Sequence, residues 1–292
     1  MKLTERAYGK INLYLDLTGI RSDGYHEICT VMQTVSLADD LMLEITPDAE
    51  FTVSLDCGGI DLGATQNNLI VRAANLVASC KNITGKHHFV LKKNIPVAAG
   101  MAGGSADAAA AIRLMNRAHD LSLSNDEMRK LAVKLGADIP FCIEGGTSLC
   151  EGIGEVITKL PPPEPFYLVV SIGPDSISTP TAFRALDAKY THEDYVQNKC
   201  ELPLGDFSSA DGCAKTLFNR FEEVIIPLVP SVTEIKNILI ENGAMGSMMS
   251  GSGPSVFGLF QEKSRAAYAA ERLIEHGFRA YVCRTANTGD LL

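Results

Sequence analysis

The sequence predicts an α+β protein of two domains, and three observations lead to this prediction. Segments with strand and helix patterns alternate along the 292 residues without a long run of either kind. In the first half, a glycine-rich stretch opens an alanine-rich helix. Residues 161–165 read PPPEP, a proline-rich stretch that differs in composition from the sequence on either side of it. Proline-rich stretches form stiff spacers, so we place a boundary there between domains 1–160 and 161–292, with a surface loop as the alternative.

Strand and helix signals follow one another closely in the first half. Alternation of apolar and polar residues predicts strands at 7–19, 41–47, 51–57 and 87–96. Apolar residues at helical spacing, followed by Gly85, predict a helix within 68–85. The alanine-rich run predicts a helix over 105–121, because alanine has the highest helix propensity.

A capping box marks the start of the next helix. Ser124 is followed three positions later by Glu127, and each side chain can satisfy a free backbone N–H at the helix start. We expect this helix to end at Gly136, and we expect Pro140 to prevent it from resuming.

The second half continues the alternation. Strands are predicted at 166–173, at 279–285 and at the end of residues 245–260, after a small-residue turn, and a helix at 264–277. The pattern of residues 214–243 predicts two helices, with the break between them near Pro227 and Pro230. Residues 187–214 have a loop-rich composition, and no element is assigned to them.

Composition limits the classes of function. The formal net charge of −9 argues against a nucleic-acid partner, which needs a basic face, but not against a phosphate-bearing small molecule. The eight cysteines show neither CxxC nor zinc spacing, which indicates reduced thiols. The N-terminal residues lack the apolar core of a signal peptide, and no apolar run approaches the roughly 20 residues of a membrane span. We therefore expect a cytoplasmic protein without a membrane partner.

Residues 96–111, PVAAGMAGGSADAAAA, join a glycine-rich loop to a helix start. Glycines let backbone N–H groups converge, and the helix N-terminus adds about half a positive charge, so the stretch can bind phosphate. It is not a Walker loop, and Ala102 occupies the second glycine position of G-x-G-x-x-G. The alternative is a helix-capping turn that permits close packing.

Three other segments favour phosphate chemistry. Lys10 lies in an apolar strand segment, where a buried lysine needs an anionic partner, although a lysine at a strand edge can extend to solvent. Asp138 follows a predicted helix in apolar surroundings, where an aspartate acts as a base or forms a turn. Residues 249–260, MSGSGPSVFGLF, form a small-residue turn before a strand and by themselves indicate only a tight turn.

In this order, the segments from Lys10 to Phe260 resemble the GHMP kinase superfamily, which includes galactokinase, homoserine kinase, mevalonate kinase and phosphomevalonate kinase. Residues 96–109 resemble its phosphate loop, and residues 249–260 resemble the glycine turn that supports that loop. The resemblance implies an N-terminal ribosomal-protein-S5-like α/β domain and a C-terminal ferredoxin-like α/β domain.

Residues 21–41 narrow the resemblance to one branch. On residue types alone, Tyr25 and His26 either form a half-buried pair or bind a ring ligand. The segment is similar to the branch that phosphorylates 4-diphosphocytidyl-2-C-methyl-D-erythritol, and so are residues 135–141, residues 178–183 and the extra loop glycine. The matching positions are Arg21, Asp23, Gly24, Tyr25, His26, Thr30, Gln33, Leu37, Asp39 and Leu41.

This branch implies transfer of the γ-phosphoryl group of ATP, with Mg²⁺, to the 2-hydroxyl of the cytidyl substrate, in the non-mevalonate synthesis of isoprenoid precursors. No protein metal cage is expected, and Ser105 is the candidate hydroxyl near the ion. The alternatives are another GHMP kinase that acts on a different small alcohol and a non-catalytic relative that senses a ligand. A sensor has no need of both Lys10 and Asp138, so their joint presence favours an enzyme.

The resemblance also implies roles for individual residues. Lys10 and Asp138 would be the catalytic pair that faces the acceptor hydroxyl. Tyr25 and Phe183 would sandwich the cytosine, and His26 would hydrogen-bond its edge. Contacts to the rest of the cytidyl substrate or to the nucleotide would come from Asn12, Lys93 and Thr179. The ATP site would comprise Asn68, Pro96, Ala99, Gly100, Met101, Ala102, Gly103, Gly104, Ser105 and Asp107.

Three loop positions depart from the family pattern, which usually has leucine, glycine and a second serine at Met101, Ala102 and Ala106. Methionine is close to leucine in size and polarity. If the backbone at Ala102 has a positive φ, its Cβ costs energy. Ala106 leaves Ser105 as the hydroxyl of the loop.

Overall fold

The computed structural model describes residues 1–197 and 206–287. Within these ranges the strands are β1 (Lys2–Ile20), β2 (His26–Thr46), β3 (Phe51–Asp56), β4 (Gly85–Lys92), β5 (Thr147–Glu151), β6 (Val156–Lys159), β7 (Tyr167–Ile172), β8 (Phe218–Asn219), β9 (Ser247–Met249), β10 (Val256–Phe260) and β11 (Arg279–Arg284). The helices are α1 (Leu69–Lys81), α2 (Gly103–Ala118), α3 (Asn125–Ala132), α4 (Ile139–Glu144), α5 (Thr179–Asp187), α6 (His192–Gln197), α7 (Ala210–Thr216), α8 (Glu222–Ile225), α9 (Pro230–Glu241) and α10 (Lys263–Glu275). This mixture confirms the predicted α+β class.

The larger sheet has the order β3-β4-β2-β1-β8, with β5 beside β2 and β6 beside β5, among the residues that the structure describes. The long antiparallel pair of β1 and β2 forms its centre. The register of this pair shifts between Tyr8 and Lys10, and again between Asn12 and Tyr14. Irregularities of this kind change the direction of nearby side chains, and here they flank the buried side chains of Lys10 and Asn12.

The smaller sheet is antiparallel, with the order β11-β7-β10-β9 in the described residues. Two strand contacts link the two halves of the chain. An isolated bridge connects Val35 of β2 with Thr285, which follows β11. In addition, β8 pairs in parallel with β1 at Tyr14 and Leu15, so a strand from the second half of the chain completes the larger sheet.

Helices α1 and α2 pack together within one hydrophobic core against the larger sheet. Ala108, Ala109, Ala110 and Ala111 of α2 are fully buried. Their small side chains allow the helix to lie close to its neighbours, so the alanine run that predicted the helix also allows it to be buried.

The helix that follows differs from the prediction. The capping box of Ser124 and Glu127 is present as predicted, but α3 ends at Ala132, before Gly136. Helix α4 then begins at Ile139 and holds Pro140 in its first turn. The prediction that Pro140 prevents a helix is therefore wrong, because the N–H that proline lacks has no helical partner in the first turn.

Residues 214–243 also differ in part. The prediction of one continuous helix before Pro227 is wrong. Residues 214–226 instead contain the end of α7, the strand β8 and the short helix α8. Hydrogen bonding of β8 to β1 overrides the local helical pattern. The second predicted helix is confirmed as α9, which begins at Pro230. Helix α6 and the first part of α7 lie within residues 187–214, where no element was predicted.

Two further observations concern the whole described region. Seven of the eight cysteines lie in it, and all seven are unbridged there, whereas Cys200 lies outside the described residues. In the same region, no helix combines the length and the apolar character that crossing a bilayer requires.

Candidate active site

A cavity of about 480 Å³ lies between β1, the start of α2 and the turn after β9. Most of the predicted site residues line it: Lys10, Asn12, Asn68, Lys93, Pro96, Ala99, Gly100, Ala102, Gly103, Gly104, Ser105, Asp107, Asp138, Thr179 and Phe183. Met101, Tyr25 and His26 are not among the described residues of its wall. Gly251 and Ser252 of the predicted glycine turn also line the cavity. Residues that the prediction missed contribute as well, among them Asn67, Leu69, Val97 and Ala98. These four are chain neighbours of predicted residues and carry no chemical signal of their own in the sequence.

Residues 96–102 form the loop that was predicted to bind phosphate, called the phosphate loop below, and α2 begins immediately after them at Gly103. The loop turns sharply at Ala98, Gly100 and Ala102, where φ is 54°, 67° and 55°. The first N–H groups of a helix lack intrahelical partners, and its dipole is positive at that end. Because Gly103, Gly104 and Ser105 also line the cavity, this helix start is suited to bind a phosphate group.

The three departures from the family pattern have different structural consequences. Ala102 is left-handed, so its Cβ carries the cost that was expected for a positive φ. Met101 is buried against Gly9 of β1, and its carbonyl accepts a hydrogen bond of 3.1 Å from the N–H of Lys10. Ala106 is buried, whereas Ser105 lines the cavity.

A turn of residues 250–254 lies against the phosphate loop. Ser250 Oγ donates to the carbonyl oxygen of Gly100 at 3.1 Å, and Ser255 Oγ donates to that of Ala99. The contact is so close that a Cβ at Gly100 would lie 2.1 Å from Ser250 O. Asn219 of β8 holds the turn by donating to the carbonyl of Gly251 at 2.9 Å, a role that the sequence did not reveal.

The two predicted catalytic residues meet at this loop. Lys10 Nζ is buried and donates to Asn12 Oδ1 at 2.8 Å and to the carbonyl oxygen of Gly100 at 3.1 Å. It lies 3.8 Å from Asp138 Oδ2. Asn12 is itself held by Thr30, whose Oγ1 accepts a 2.8 Å hydrogen bond from Asn12 Nδ2. Lys10 is therefore fixed between the loop and a carboxylate that keeps 35% of its side chain exposed.

A second buried charge cluster lies beside the loop. Lys93 Nζ donates to Asp39 and, at 2.9 Å, to Asp107 Oδ2. Burial raises the pKa of Asp107 to about 7 against the opposing effect of Lys93. Burial also disfavours the charged Lys93, but the carboxylates of Asp107 and Asp39 outweigh it and raise the pKa of Lys93 above its ordinary value. Lys93 was predicted as a ligand contact; it lines the cavity while both carboxylates hold its ammonium group.

Phe183 lines the cavity, and His26 packs against it from outside the described wall. The rings of His26 and Phe183 pack with centroids 4.7 Å apart, and His26 Nε2 donates to Asp187 Oδ1 at 2.7 Å. Thr179 Oγ1 is 3.0 Å from the hydroxyl of Ser252, which links α5 to the glycine turn. Tyr25 stands apart with 61% of its surface exposed. In this structure His26, rather than Tyr25, is stacked on Phe183, and the predicted sandwich of cytosine between Tyr25 and Phe183 stays a prediction.

The cysteines near Asp138 are poor nucleophiles. Burial, together with the charge of Asp138, raises the pKa of Cys150 to about 12. Burial also raises the pKa of Cys142 well above its ordinary value. Both thiols are therefore neutral near pH 7, which argues against covalent cysteine catalysis.

Comparison with known proteins agrees with this geometry. Residues 68–146 match the model of the GHMP kinases N terminal domain, and residues 204–279 match that of the GHMP kinases C terminal region. The chain belongs to the GHMP kinases. Its curated relatives include proteins named 4-diphosphocytidyl-2-C-methyl-D-erythritol kinase from Clostridium botulinum (strain Alaska E43 / Type E3) and Brevibacillus brevis. The first is 37% identical over 96% of this chain and 99% of the relative, and the second is 39% identical over 91% and 90%.

Solved structures give the same result. A 4-(cytidine 5'-diphospho)-2C-methyl-D-erythritol kinase superposes with a TM-score of 0.82 and 29% identity, over 98% of this chain and 100% of that one. A homoserine kinase from Cytophaga hutchinsonii superposes with a TM-score of 0.74 at 15% identity, over 98% and 95% of the two chains, and therefore supports the fold alone.

Proposed function

We propose that this protein transfers the γ-phosphoryl group of ATP to the 2-hydroxyl of 4-diphosphocytidyl-2-C-methyl-D-erythritol, a step in isoprenoid precursor synthesis. The observation that carries the proposal is the position of Lys10, held between the phosphate loop and Asp138 in one cavity. The names of the relatives supply the substrate. That the reaction takes place in the cytoplasm, and that the chain divides into domains 1–160 and 161–292, stay predictions.

The reaction needs positioning and charge stabilisation more than reactive groups. Phosphoryl transfer passes through a loose transition state with negative charge spread over the phosphoryl oxygens. The N–H groups at the start of α2 bind the phosphates, and the Lys10 ammonium stabilises the charge that develops during transfer. Asp138 accepts the hydroxyl proton late, as the new O–P bond forms, because a carboxylate is too weak a base to remove it in advance.

The side chains around the phosphate loop are suited to a divalent cation that enters the site together with ATP. The described residues contain no group of three His, Cys, Asp or Glu side chains that could hold a resident metal. The Ser105 hydroxyl and the Asp107 carboxylate line the cavity beside the phosphate loop. Oδ1 of Asp107 has no hydrogen-bond partner within the described ranges. These two residues would hold Mg²⁺, which neutralises phosphate charge when bound with ATP.

Recognition of the cytosine would use Phe183 and the side chains around it. The carboxylate of Asp187 accepts from His26 Nε2, so Nδ1 is left as an acceptor in the neutral form of the ring. Nδ1 is then suited to the amino group of cytosine. Phe183 supplies an apolar ring face, and the exposed Tyr25 would have to move onto the ring to complete the predicted sandwich.

A coupled assay of ADP release tests the proposal directly. The purified protein should consume ATP with the cytidyl substrate and not with mevalonate or homoserine. We expect Lys10→Ala to lose about 100-fold or more in kcat, as for other lost transition-state donors. We expect Asp138→Ala to lose more, with little change in nucleotide affinity.

Three results would contradict the assignment. Turnover of mevalonate or homoserine alone would indicate a different kinase. ATP binding without turnover of any of these alcohols would favour a ligand sensor. Near-normal turnover of Asp138→Ala would show that Asp138 is structural.

A further inference from the structure

Asp39 is a fully buried carboxylate that the mechanism above does not use. Its Oδ1 accepts the backbone N–H groups of Asn94 at 2.6 Å and of Ile95 at 2.8 Å. Its Oδ2 accepts from Lys93 Nζ. One side chain of β2 thus holds three consecutive residues that lead directly into the phosphate loop.

Lys93 extends this network to the far end of the loop. Its ammonium donates to Asp107 in α2 at 2.9 Å. It also lies against the first residue of α2, since a Cβ at Gly103 would be 3.1 Å from Nζ. Asp39 and Lys93 therefore connect the residues before the loop with the helix after it.

A buried ion cluster of this kind is weak evidence for stability, because desolvation of the charges offsets much of their attraction. Two acidic side chains surround the single ammonium group of the cluster, so that ammonium is already paired inside the protein. The connections of the cluster at both ends of the phosphate loop point to a role in positioning that loop.

We propose that Asp39 is a positioning residue that acts through Lys93 to set the separation of the two ends of the phosphate loop. The inference rests on the proposed function for its kinetic consequences, but not for its structural ones. Asp39 is fully buried and is not among the described residues that line the cavity, so it influences ATP only through the loop.

The test compares Asp39→Asn with a matched control, Glu5→Gln. Glu5 has only 7% of its side chain exposed, and its carboxylate is also held by two cations, with Arg113 and Arg117 each at 2.8 Å, but it lies away from the loop. In Asp39→Asn, the amide can still accept from the two backbone N–H groups, but its NH₂ group faces Lys93. We expect KM for ATP to rise about 10- to 100-fold, as for other small misplacements of binding groups. KM for the cytidyl substrate should stay within about 2-fold, and Glu5→Gln should leave both constants unchanged.

A double-mutant cycle tests whether Asp39 acts through Lys93. If it does, Asp39→Asn adds little to the effect of Lys93→Met on ATP binding, since residues of one network are not additive. Hydrogen exchange of the amides in residues 94–103 supplies a readout that needs no substrate. It should be faster in Asp39→Asn and unchanged in Glu5→Gln.

The proposal is overturned if Asp39→Asn leaves loop exchange and ATP binding at wild-type values, or if the effects of the two cluster substitutions add fully. Should Asp39→Asn not fold, Asp39→Glu keeps the charge and moves it by one methylene, and it must still weaken ATP binding. Binding is measured by calorimetry with a non-hydrolysable ATP analogue. If the wild-type protein binds the analogue without turning over the cytidyl substrate, the proposed function fails while the exchange data still decide the role of Asp39.

Discussion

Substitution of Gly100 by alanine tests the contact between the phosphate loop and the glycine turn. Gly100 has a φ of +67°, where a residue with a Cβ costs about 1–2 kcal/mol. The added methyl group would also lie 2.1 Å from Ser250 O, whereas ordinary contacts begin at 3.4 Å. Either the loop or the turn must move, and overpacking of this kind costs about 1–3 kcal/mol more.

The movement should affect catalysis more than folding. The carbonyl of Gly100 accepts from Lys10, so a shift of the loop also displaces the catalytic ammonium. A displacement of roughly 1 Å costs about 100-fold in rate, so we expect kcat/KM for ATP to fall by about that factor. Steady-state kinetics with ATP as the varied substrate measures this change, and urea unfolding measures the stability.

Gly58→Ala is the matched control. Its φ of +60° imposes the same backbone cost, but the described part of the chain has nothing within 4 Å of the new methyl group. We expect it to lose about 1–2 kcal/mol of stability and no activity. Wild-type kinetics in Gly100→Ala, or an equal loss of activity in both variants, would refute the argument from the contact with Ser250.

Three further predictions follow from the same structure. Ala102→Gly relieves a left-handed Cβ and should stabilise the protein by about 1 kcal/mol in urea unfolding; lower stability would show that glycine entropy outweighs the strain. Tyr25→Ala should raise KM for the cytidyl substrate about 10-fold and leave KM for ATP unchanged, since stacking on a base is worth about 1–3 kcal/mol; equal changes would exclude a role in stacking. Burial lowers the pKa of His87 and of His119, whose Nε2 atoms are 2.8 Å apart and share one proton. Because both pKa values lie below the unfolded value of 6.5, stability should fall as the pH drops below it, and replacement of both residues by leucine should flatten this dependence in thermal unfolding.

The sequence by itself determined the features that depend on near neighbours. The alanine run specified α2 through propensity, and Ser124 with Glu127 specified the start of α3 through reciprocal hydrogen bonds. Gly100 marked a left-handed turn in the loop before α2, although Ala98 and Ala102 are left-handed as well. Resemblance to a family then nominated Lys10 and Asp138.

Only the tertiary structure decided which distant groups meet. The helical pattern of residues 214–243 was overridden at β8, because pairing with β1 supplies hydrogen bonds that local propensity does not measure. Asn219 carried no signal in the local sequence, and Asp39 was only one of the positions that match the family branch, yet Asn219 holds the glycine turn and Asp39 the approach to the phosphate loop. A buried polar group needs a partner, and the fold determines which segment supplies it. Lys10 therefore became part of a site only where folding brought Gly100 and Asp138 beside it.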